Sequence, residues 1–356
     1  MPVRPFFKSV KISNYRGIES LDVEGFTRLN IIGGLNGSGK TTLIEGLFAI
    51  LDWQNAAVAT RALQWRGLPP DLSYAHDTIF GPDPSAPIEI RARVKNQVTY
   101  DLRFEWGLQK LPTNAVIAQP TATPGSDTTF SSMGFHQTCH KSGQLVMERR
   151  LVEDRTTVTS NQSVHVPEVM PTGAMFSRYT INNHSDISER FSKLVQSKLK
   201  RDLIEILKTI QPALTDLQLL QFGQMNVVHA ELDGGALIPL SLAGDGFASL
   251  MAAVMGIMTS EGGVMFFDEV DSSVHYSNLG RFWKTVSNVS KNYNCQIFAT
   301  THSRESINEA LSHIIVEDIR KDLSYIRLDR LEDVVLSTRY DYEELQGART
   351  EHWEIR

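Results

Sequence analysis

The alternation of apolar and polar residues predicts a chain that begins with short strands. Residues 6–32 alternate over three short stretches, which is the period of half-buried β-strands. Residues 28–32 form a more continuous apolar run, and apolar side chains then recur at helical spacing up to about residue 52. Between that run and that helix lies a glycine-rich turn. The first part of the chain is therefore predicted to form short strands, a glycine-rich turn and a helix, in that order.

The middle of the chain carries weaker patterns. Residues 53–86 contain two stretches rich in Gly and Pro and are predicted to be irregular. Further along, the pattern predicts a hairpin over residues 87–106 and a flexible loop rich in Pro, Thr, Ala and Ser over residues 111–129. It predicts strands again over residues 147–166.

One long amphipathic helix is predicted over residues 186–210. Apolar residues from Phe191 to Ile210 line one face, and Pro212 ends the pattern. The opposite face is basic, which an ordinary solvated surface explains best. The apolar spacing does not continue as heptads for the three or four repeats of a coiled coil.

Composition narrows the class of protein. The chain has 356 residues, 41% of them hydrophobic, which suffices for a large α/β domain. It has no apolar stretch of about 18 residues and no apolar signal-peptide core, so we expect no membrane association. Only Cys139 and Cys295 are present, without metal-type spacing, which suits a cytoplasmic location. The net charge of −6 does not indicate a nucleic-acid binder, although a local basic face can act within an acidic chain.

The glycine-rich turn carries the first chemical motif. Residues 34–41 fit the pattern Gly-x4-Gly-Lys-[Ser/Thr] at every fixed position. Such a P-loop turns backbone N–H groups toward phosphates, and the following helix N-terminus favours the same negative charge. Lys40 is predicted to reach the β- and γ-phosphates and the Thr41 hydroxyl to ligate Mg²⁺. The predicted cofactors are ATP and Mg²⁺; the alternative is a turn that merely joins a strand to a helix.

The ends of two further predicted strands carry polar residues that could complete a nucleotide site with the P-loop. An apolar strand over residues 262–267 ends in Asp268 and Glu269. Asp268 is predicted to hold Mg²⁺ through water opposite Thr41, and Glu269 to orient or deprotonate the attacking water. The next apolar strand ends at His302, which we interpret as catalytic because of that position.

These elements resemble the ABC-type ATPase head, in the branch that contains RecF, the Rad50 and structural-maintenance-of-chromosomes (SMC) heads and the OLD nucleases. The resemblance rests on residues 14–17 followed by 29–43, on 268–275 as Walker B with its D-loop, and on 298–303 as the switch-histidine segment. It covers roughly residues 5–50 and 235–310.

The resemblance implies an α/β fold, an ABC-ATPase head with a P-loop core sheet, an antiparallel β subdomain and a helical signature lobe. We expect one head over residues 1–356, with lobes at 1–165, 166–250 and 251–356. Catalysis is assigned to Glu269, His302 and Lys40, and Mg²⁺ binding to Thr41 and Asp268. Nucleotide binding by the P-loop side is assigned to Arg16, Asn36, Gly37, Ser38, Gly39, Lys40, Thr41 and Thr42.

The family's signature segment corresponds to residues 239–250, ahead of Walker B and at the start of a helix. Gly244 stands where the family has serine, and Ser241 lies three residues earlier. The contact with a γ-phosphate is assigned to Ser241, Gly244, Asp245 and Gly246, whose backbone N–H groups at a helix start suit an anion. The alternative is a plain helix cap. The Q-loop glutamine stays open between Gln64, Gln137 and Gln162.

The resemblance further implies a homodimer or higher homo-oligomer, in which the P-loop of one copy faces the signature of the other. ATP would join the copies and hydrolysis would release them, as in a nucleotide-driven switch. The sequence resembles stand-alone anti-phage ATPases of the OLD, PARIS and Septu types, which control a separate effector such as a nuclease. A RecF-like repair ATPase that binds DNA and a scaffold that holds ATP without turnover are the alternatives.

Two other classes fit poorly. An OLD-type nuclease needs a TOPRIM domain, and we expect none in the 54 residues after His302. A transporter ATPase does not match the signature segment or the first strands.

Overall fold

The computed structural model describes residues 5–69, 71–112, 129–154, 157–177, 184–274, 276–314 and 317–350. The first predicted elements are confirmed. Three strands, β1 (Phe7–Tyr15), β2 (Ile18–Glu24) and β3 (Leu29–Gly33), precede helix α1 (Lys40–Leu51). The glycine-rich turn joins β3 to α1.

The prediction that residues 53–86 are irregular was wrong. Two short helices, α2 (Val58–Gln64) and α3 (Leu72–Ile79), lie within that range. Asp71 caps α3, because its carboxylate accepts a hydrogen bond from the backbone N–H of Tyr74 at 2.6 Å. The Gly and Pro residues that suggested a loop instead separate the helices from each other and from the next strand.

An antiparallel run follows, formed by β4 (Ile88–Val94), β5 (Thr99–Pro112), β6 (Thr129–Lys141), β7 (Gln144–Asp154) and β8 (Thr157–His165). The predicted hairpin is the β4–β5 pair, and the predicted later strands are β7 and β8. Strand β6 was not predicted. Most of the predicted flexible loop, residues 113–128, lies outside the described residues.

The single helix predicted over residues 186–210 is two helices, α4 (His184–Gln196) and α5 (Lys200–Lys208). The chain turns at Lys198, whose φ of +61° is left-handed, and the N–H of Leu199 returns to the carbonyl of Leu194 at 2.8 Å. This is the geometry that usually ends a helix at glycine. Because lysine occupies the position, the sequence gives no sign of the break.

The remaining strands are β9 (Gly173–Phe176), β10 (Leu214–Phe222), β11 (Met225–Leu232), β12 (Ala236–Pro239), β13 (Val264–Phe267), β14 (Gln296–Thr300), β15 (Leu323–Leu331) and β16 (Val334–Asp341). The remaining helices are α6 (Asp245–Met258), α7 (Val270–Ser273), α8 (Tyr276–Asn292), α9 (Arg304–His313), α10 (Glu317–Arg320) and α11 (Tyr342–Thr350).

One large mixed sheet dominates the fold. Its 13 strands run in the order β8-β7-β6-β5-β4-β1-β2-β16-β15-β3-β14-β13-β9, and β10-β11-β12 form a separate antiparallel sheet. Strands β15, β3, β14, β13 and β9 are parallel to one another, whereas β1, β2 and β4–β8 pair antiparallel. The predicted α/β class with a core sheet and antiparallel strands is therefore confirmed.

The central parallel strands β3, β14 and β13 are buried on both faces, as their continuous apolar sequences require. In β13, Val264 and Phe266 contribute to one hydrophobic cluster, and Met265 and Phe267 to the cluster on the other face. Phe266 stacks on Phe298 of β14, with ring centroids 5.5 Å apart. This double burial fixes the register of the strands whose ends carry the predicted chemistry. Within the described residues, no helix has the length and apolar character needed to cross a membrane.

Candidate functional site

The predicted motifs meet at one edge of the sheet. Strands β3, β14 and β13 are neighbours and run parallel, so their carboxyl ends lie side by side. The P-loop follows β3, residues 301–303 follow β14, and Asp268 and Glu269 follow β13. In open α/β sheets ligands bind beyond the carboxyl ends of the strands, and this edge fits that rule.

Two P-loop positions can hold only glycine. Gly39 precedes α1 with a φ of +97°, and a Cβ there would lie 2.7 Å from the side chain of Ile18. Gly34 has a φ of +140°, and a Cβ there would lie 2.4 Å from the carbonyl oxygen of Leu328. Both positions combine a left-handed backbone with close packing, so the loop keeps the backbone path that a phosphate needs.

Lys40 is buried against this loop. Its Nζ atom donates to the carbonyl oxygens of Gly34 and Leu35, both at 2.8 Å. Burial lowers the pKa of the Lys40 ammonium, and nearby carboxylates act in the opposite direction. These carboxylates belong to Glu269, Asp268 and Asp271. The ammonium therefore lies in the field of the acids that follow β13.

The other P-loop residues differ in exposure. Asn36 and Gly37 are exposed, whereas Ser38 and Thr42 are buried. Ser38 is 3% exposed, and its hydroxyl has no hydrogen-bond partner among the described residues. A buried polar atom usually has a partner, and this one lies in the loop that is predicted to hold phosphate.

Thr41 and Asp268 contact each other directly. The Thr41 hydroxyl donates to the two carboxylate oxygens of Asp268 at 3.0 and 3.2 Å, although 227 residues separate them. A hydroxyl and one carboxylate fit Mg²⁺, which takes few protein ligands and completes its shell with water and phosphate. No group of three or more His, Cys, Asp or Glu suited to a metal occurs within the described residues.

Glu269 has a strained backbone. Its φ and ψ are 53° and 60°, a left-handed conformation that costs a non-glycine residue about 1–3 kcal/mol. Its N–H donates to the hydroxyl of Thr300 at 2.8 Å, and the same hydroxyl donates to Asp268 at 2.7 Å. Thr300 was not predicted to act in the site; its place at the end of β14 was the available signal.

His302 is linked to the segment after Glu269. Its Nδ1 lies 3.0 Å from Oδ2 of Asp271, and the hydroxyl of Thr301 donates to the other oxygen of that carboxylate at 2.5 Å. The His302 side chain is 47% exposed, and that of Asp271 is 8% exposed. The ring is therefore held on one side and open on the other, which leaves it able to meet a ligand.

Arg16 does not project freely toward the P-loop. Its Nε lies 2.8 Å from Oε2 of Glu45, and Arg66 pairs with the other oxygen of Glu45 at 3.2 Å. Burial is the largest influence on the Arg16 pKa and acts to lower it, but the charge of Glu45 together with the charge and hydrogen bond of Tyr15 outweighs burial, so the pKa is raised. The structure thus shows Arg16 paired with Glu45, and its predicted contact with nucleotide stays a prediction. Glu45 was missed, although an acid between apolar positions of α1 was a visible signal.

A cavity of 210 Å³ opens beside the two acids. It is lined by Thr41, Glu45, Trp65, Arg66, Met175, Ser177, Asp268 and Glu269. None of the three candidate Q-loop glutamines is among these residues. Gln137 lies elsewhere, with its amide donating to the carbonyl oxygen of Trp53 at 3.2 Å.

The signature segment lies at a different cavity. Gly244, with a φ of +95°, precedes α6, so the predicted helix start is confirmed. Gly244 and Gly246 line an open cavity of 670 Å³ together with residues of the segment after Glu269, among them Asp271 and Tyr276. The side chains of Ser241 and Asp245 lie outside the described residues. This cavity shares no lining residue with the one beside Thr41.

Arg330 is a further residue that the sequence did not indicate. It lies in β15 and donates to the carbonyl oxygen of Gly17 at 2.6 Å and to that of Gly37 at 3.3 Å. Its guanidinium thereby joins the C-terminal hairpin to the P-loop and to the β1–β2 turn. No motif marks an arginine 293 residues after its partner.

Comparisons with known proteins identify AAA domains in this chain. Residues 9–221 match a sequence family described as an AAA domain. Residues 146–308 match a second AAA-domain family, whose description names the AbiEii toxin of a type IV toxin–antitoxin system.

Two curated relatives differ in the extent of the match. A protein of Helicobacter pylori named ATP/GTP phosphatase is 24% identical over 337 residues, covering 87% of this chain and 88% of that protein. The DNA replication and repair protein RecF of Cellvibrio japonicus is 47% identical over 38 residues, 11% of this chain and 10% of that protein.

The fold is similar to that of a solved SMC head. The structure of the SMC head bound to the C-winged helix domain of ScpA matches with a TM-score of 0.58 at 13% identity, covering 96% of this chain and 100% of that chain. At this identity the likeness shows the fold, an ABC/SMC-type ATPase head.

Proposed function

The chain belongs to the AAA-domain family, and we propose that it binds and hydrolyses ATP as a nucleotide-driven switch. One observation carries the proposal. Thr41 of the P-loop and Asp268 after β13 are in hydrogen-bond contact, with Lys40 in the field of the same carboxylate. Two segments distant in sequence thus present the cation, the hydroxyl and the carboxylate that a Mg–nucleotide requires: Lys40 and Thr41 at the start of α1, and Asp268 after β13.

Each side chain then has a chemical role. The Lys40 ammonium balances the charge of the β- and γ-phosphates, and Thr41 and Asp268 hold Mg²⁺, which neutralises phosphate charge when bound. Glu269 accepts the proton of the attacking water. His302 positions the γ-phosphate from its exposed side. The name of the Helicobacter pylori relative, ATP/GTP phosphatase, supports hydrolysis as the reaction.

The complete site is formed by two copies of the chain in this proposal. The signature residues Gly244 and Gly246 face an open cavity rather than the P-loop of their own chain. Three large apolar side chains are also exposed near these segments. Leu35 in the P-loop is 65% exposed, Leu242 in the signature segment is 73% exposed, and Tyr276, the first residue of α8, is 70% exposed. Exposed apolar residues beside both half-sites suit a protein–protein interface.

We further propose that the switch controls a separate effector, such as a nuclease, in a bacterial anti-phage system. The family description that names a toxin of a toxin–antitoxin system supports this setting. A RecF-like role in DNA repair is the second candidate, and the 47% identity over 38 residues with RecF favours it.

The activity is tested on the purified chain. We expect phosphate release from ATP that requires Mg²⁺, stops with a chelator, and is accompanied by dimers in size-exclusion chromatography when ATP is present. GTP in a parallel reaction defines the base preference. Binding of ATP without any release of phosphate would refute the catalytic proposal.

The setting is tested in cells. The chain is expressed with its neighbouring genes and challenged with phage, and the Glu269→Gln variant serves as the matched control. Reduced plaque counts that depend on Glu269 support defence. Unchanged plaque counts, together with ATP-dependent binding of the purified chain to duplex DNA, would favour repair.

A further inference from the structure

Glu269 keeps its left-handed backbone because of contacts on both of its peptide groups. Its N–H donates to the Thr300 hydroxyl at 2.8 Å. Its carbonyl oxygen accepts from the N–H of Ser272 at 2.9 Å and from the Ser272 hydroxyl at 2.8 Å. Strained conformations persist only where surrounding contacts impose them, and these contacts do so here.

Thr300 is the contact that also reaches the metal-binding acid. It is the last residue of β14 and is 0% exposed. Its hydroxyl has one proton, which it donates to Oδ1 of Asp268 at 2.7 Å, and its lone pairs accept from the Glu269 N–H. One hydroxyl therefore fixes the carboxylate of Asp268 and the backbone of Glu269 at the same time. The β-branched side chain has few rotamers, which holds that hydroxyl in place.

We infer that Thr300 is a positioning residue for hydrolysis: it holds Glu269 in the strained conformation that directs its carboxylate, and it orients Asp268 beside Thr41. The inference rests on the proposed ATPase function. Thr300 touches neither water nor phosphate in this scheme. It acts through Glu269 and Asp268, so its loss should lower the rate of hydrolysis more than the affinity for ATP.

Two substitutions distinguish the contribution of the Thr300 hydroxyl from that of its branched side-chain shape. Thr300→Val keeps the branched shape but leaves the Glu269 N–H without its acceptor, whereas Thr300→Ser keeps the hydroxyl. We expect Thr300→Val to lower kcat about ten- to hundredfold with ATP affinity within about threefold of wild type, and Thr300→Ser to stay within about threefold in both. Thr285→Val is the control for loss of a buried threonine hydroxyl, since Thr285 lies in α8 and is 9% exposed.

A double-mutant cycle tests whether Thr300 acts through Glu269. In the Glu269→Gln background, Thr300→Val should cause a smaller further loss than in the wild-type chain, because only the part of its effect that acts through Asp268 remains. A full additional loss in that background, or a Thr300→Val enzyme with wild-type kcat, would overturn the inference. If Thr300→Val does not fold, Thr300→Ala takes its place in the same cycle.

Hydrogen exchange gives a readout that does not depend on turnover. The Glu269 amide should be protected in the wild-type chain and in Thr300→Ser, and should exchange at least tenfold faster in Thr300→Val. Equal protection in all three would refute the positioning role even if the chain hydrolyses no ATP. A chain with this exchange pattern but no hydrolysis would instead refute the proposed function alone.

Discussion

The P-loop region and the signature region differ in how completely one chain builds them. Around Thr41 the polar groups already bond to one another, with Thr41, Thr300 and Asp268 joined by contacts of 2.7–3.2 Å. The signature glycines, in contrast, face an open cavity of 670 Å³. The groups that we propose to hold phosphate are thus already joined within one copy, whereas the proposed signature glycines line an open cavity.

This difference suggests that the two regions contribute to different steps, nucleotide binding and hydrolysis. A site whose groups are already oriented binds its ligand with little rearrangement. An outward half-site contributes only when another surface meets it, so the rate of hydrolysis can depend on assembly. Substitutions in the two regions should therefore separate ATP binding from hydrolysis.

The largest effect is expected from Glu269→Gln. The amide keeps the shape of the side chain but cannot accept a proton, so hydrolysis should fall about 100- to 10,000-fold while ATP still binds. Single-turnover hydrolysis measures this, with Glu261→Gln, an exposed acid just before β13, as the control. The trapped ATP should also shift monomers to dimers. A wild-type rate would show that Glu269 is not the base.

Gly246→Glu addresses the outward half. A Cβ at Gly246 meets only the Asn278 side chain, at 3.8 Å, so the backbone accepts a β-carbon there without a clash. Its carboxylate would face the partner's triphosphate, and like charges repel, so hydrolysis should fall about 100-fold with ATP binding kept. Gly347→Glu, at an open position in α11, is the matched control. Normal hydrolysis by Gly246→Glu would place the signature outside the site.

Mixing two inactive variants sharpens that test. In a dimer of Gly246→Glu with Lys40→Ala, one composite site carries both lesions and the other carries none. A random mixture should therefore recover about a quarter of wild-type hydrolysis. Absence of activity in verified mixed dimers would contradict shared sites.

Lys40→Ala tests the preformed half. Removal of the ammonium deletes charge-assisted hydrogen bonds to phosphate, which are each worth about 1.5–3 kcal/mol, so ATP affinity should fall about 10- to 100-fold. Isothermal titration measures the affinity, with Lys284→Ala, an exposed lysine in α8, as the control. Undiminished affinity in a folded variant would remove the P-loop from the site.

The smallest effect is expected from His302→Ala. The ring is held by Asp271 and assists the γ-phosphate without carrying the main charge, so kcat should fall about tenfold with affinity unchanged. His313→Ala is a close match, because His313 is 43% exposed and lies 3.2 Å from Glu309. Equal rates for both variants would make His302 a structural residue.

The sequence predicted those features that depend on local pattern. The strand–loop–helix order around Lys40 and the strand ends at Asp268 and His302 follow from apolar runs and glycine positions, and the structure brings these residues to one sheet edge. What it could not predict depends on distant partners. The Arg16–Glu45 pair and the Arg330 contact with Gly37 join segments whose proximity only the folded sheet creates.

The helices that were predicted wrongly depend on residues that depart from the usual local preferences. Lys198 takes the left-handed conformation that glycine usually provides, so nothing in the sequence marked the end of α4. Helix α3 begins at its Asp71 cap among Gly and Pro residues that are typical of a loop, so the composition of residues 53–86 did not indicate it. The division into three lobes stays a prediction.

The strand order has a consequence for synthesis on the ribosome. The side chain of Asn30 in β3 donates to the carbonyl of Ile297 in β14, 267 residues later. At roughly 5–20 residues per second, the emerging β3 waits about 13–50 seconds for this neighbour. Strands β1, β2 and β4–β8 can pair earlier because they are close in sequence, which leaves β3 as an unpaired apolar strand in the nascent chain. Such a strand invites aggregation until translation passes Thr300, which makes this a chain that chaperones would shield while it is made.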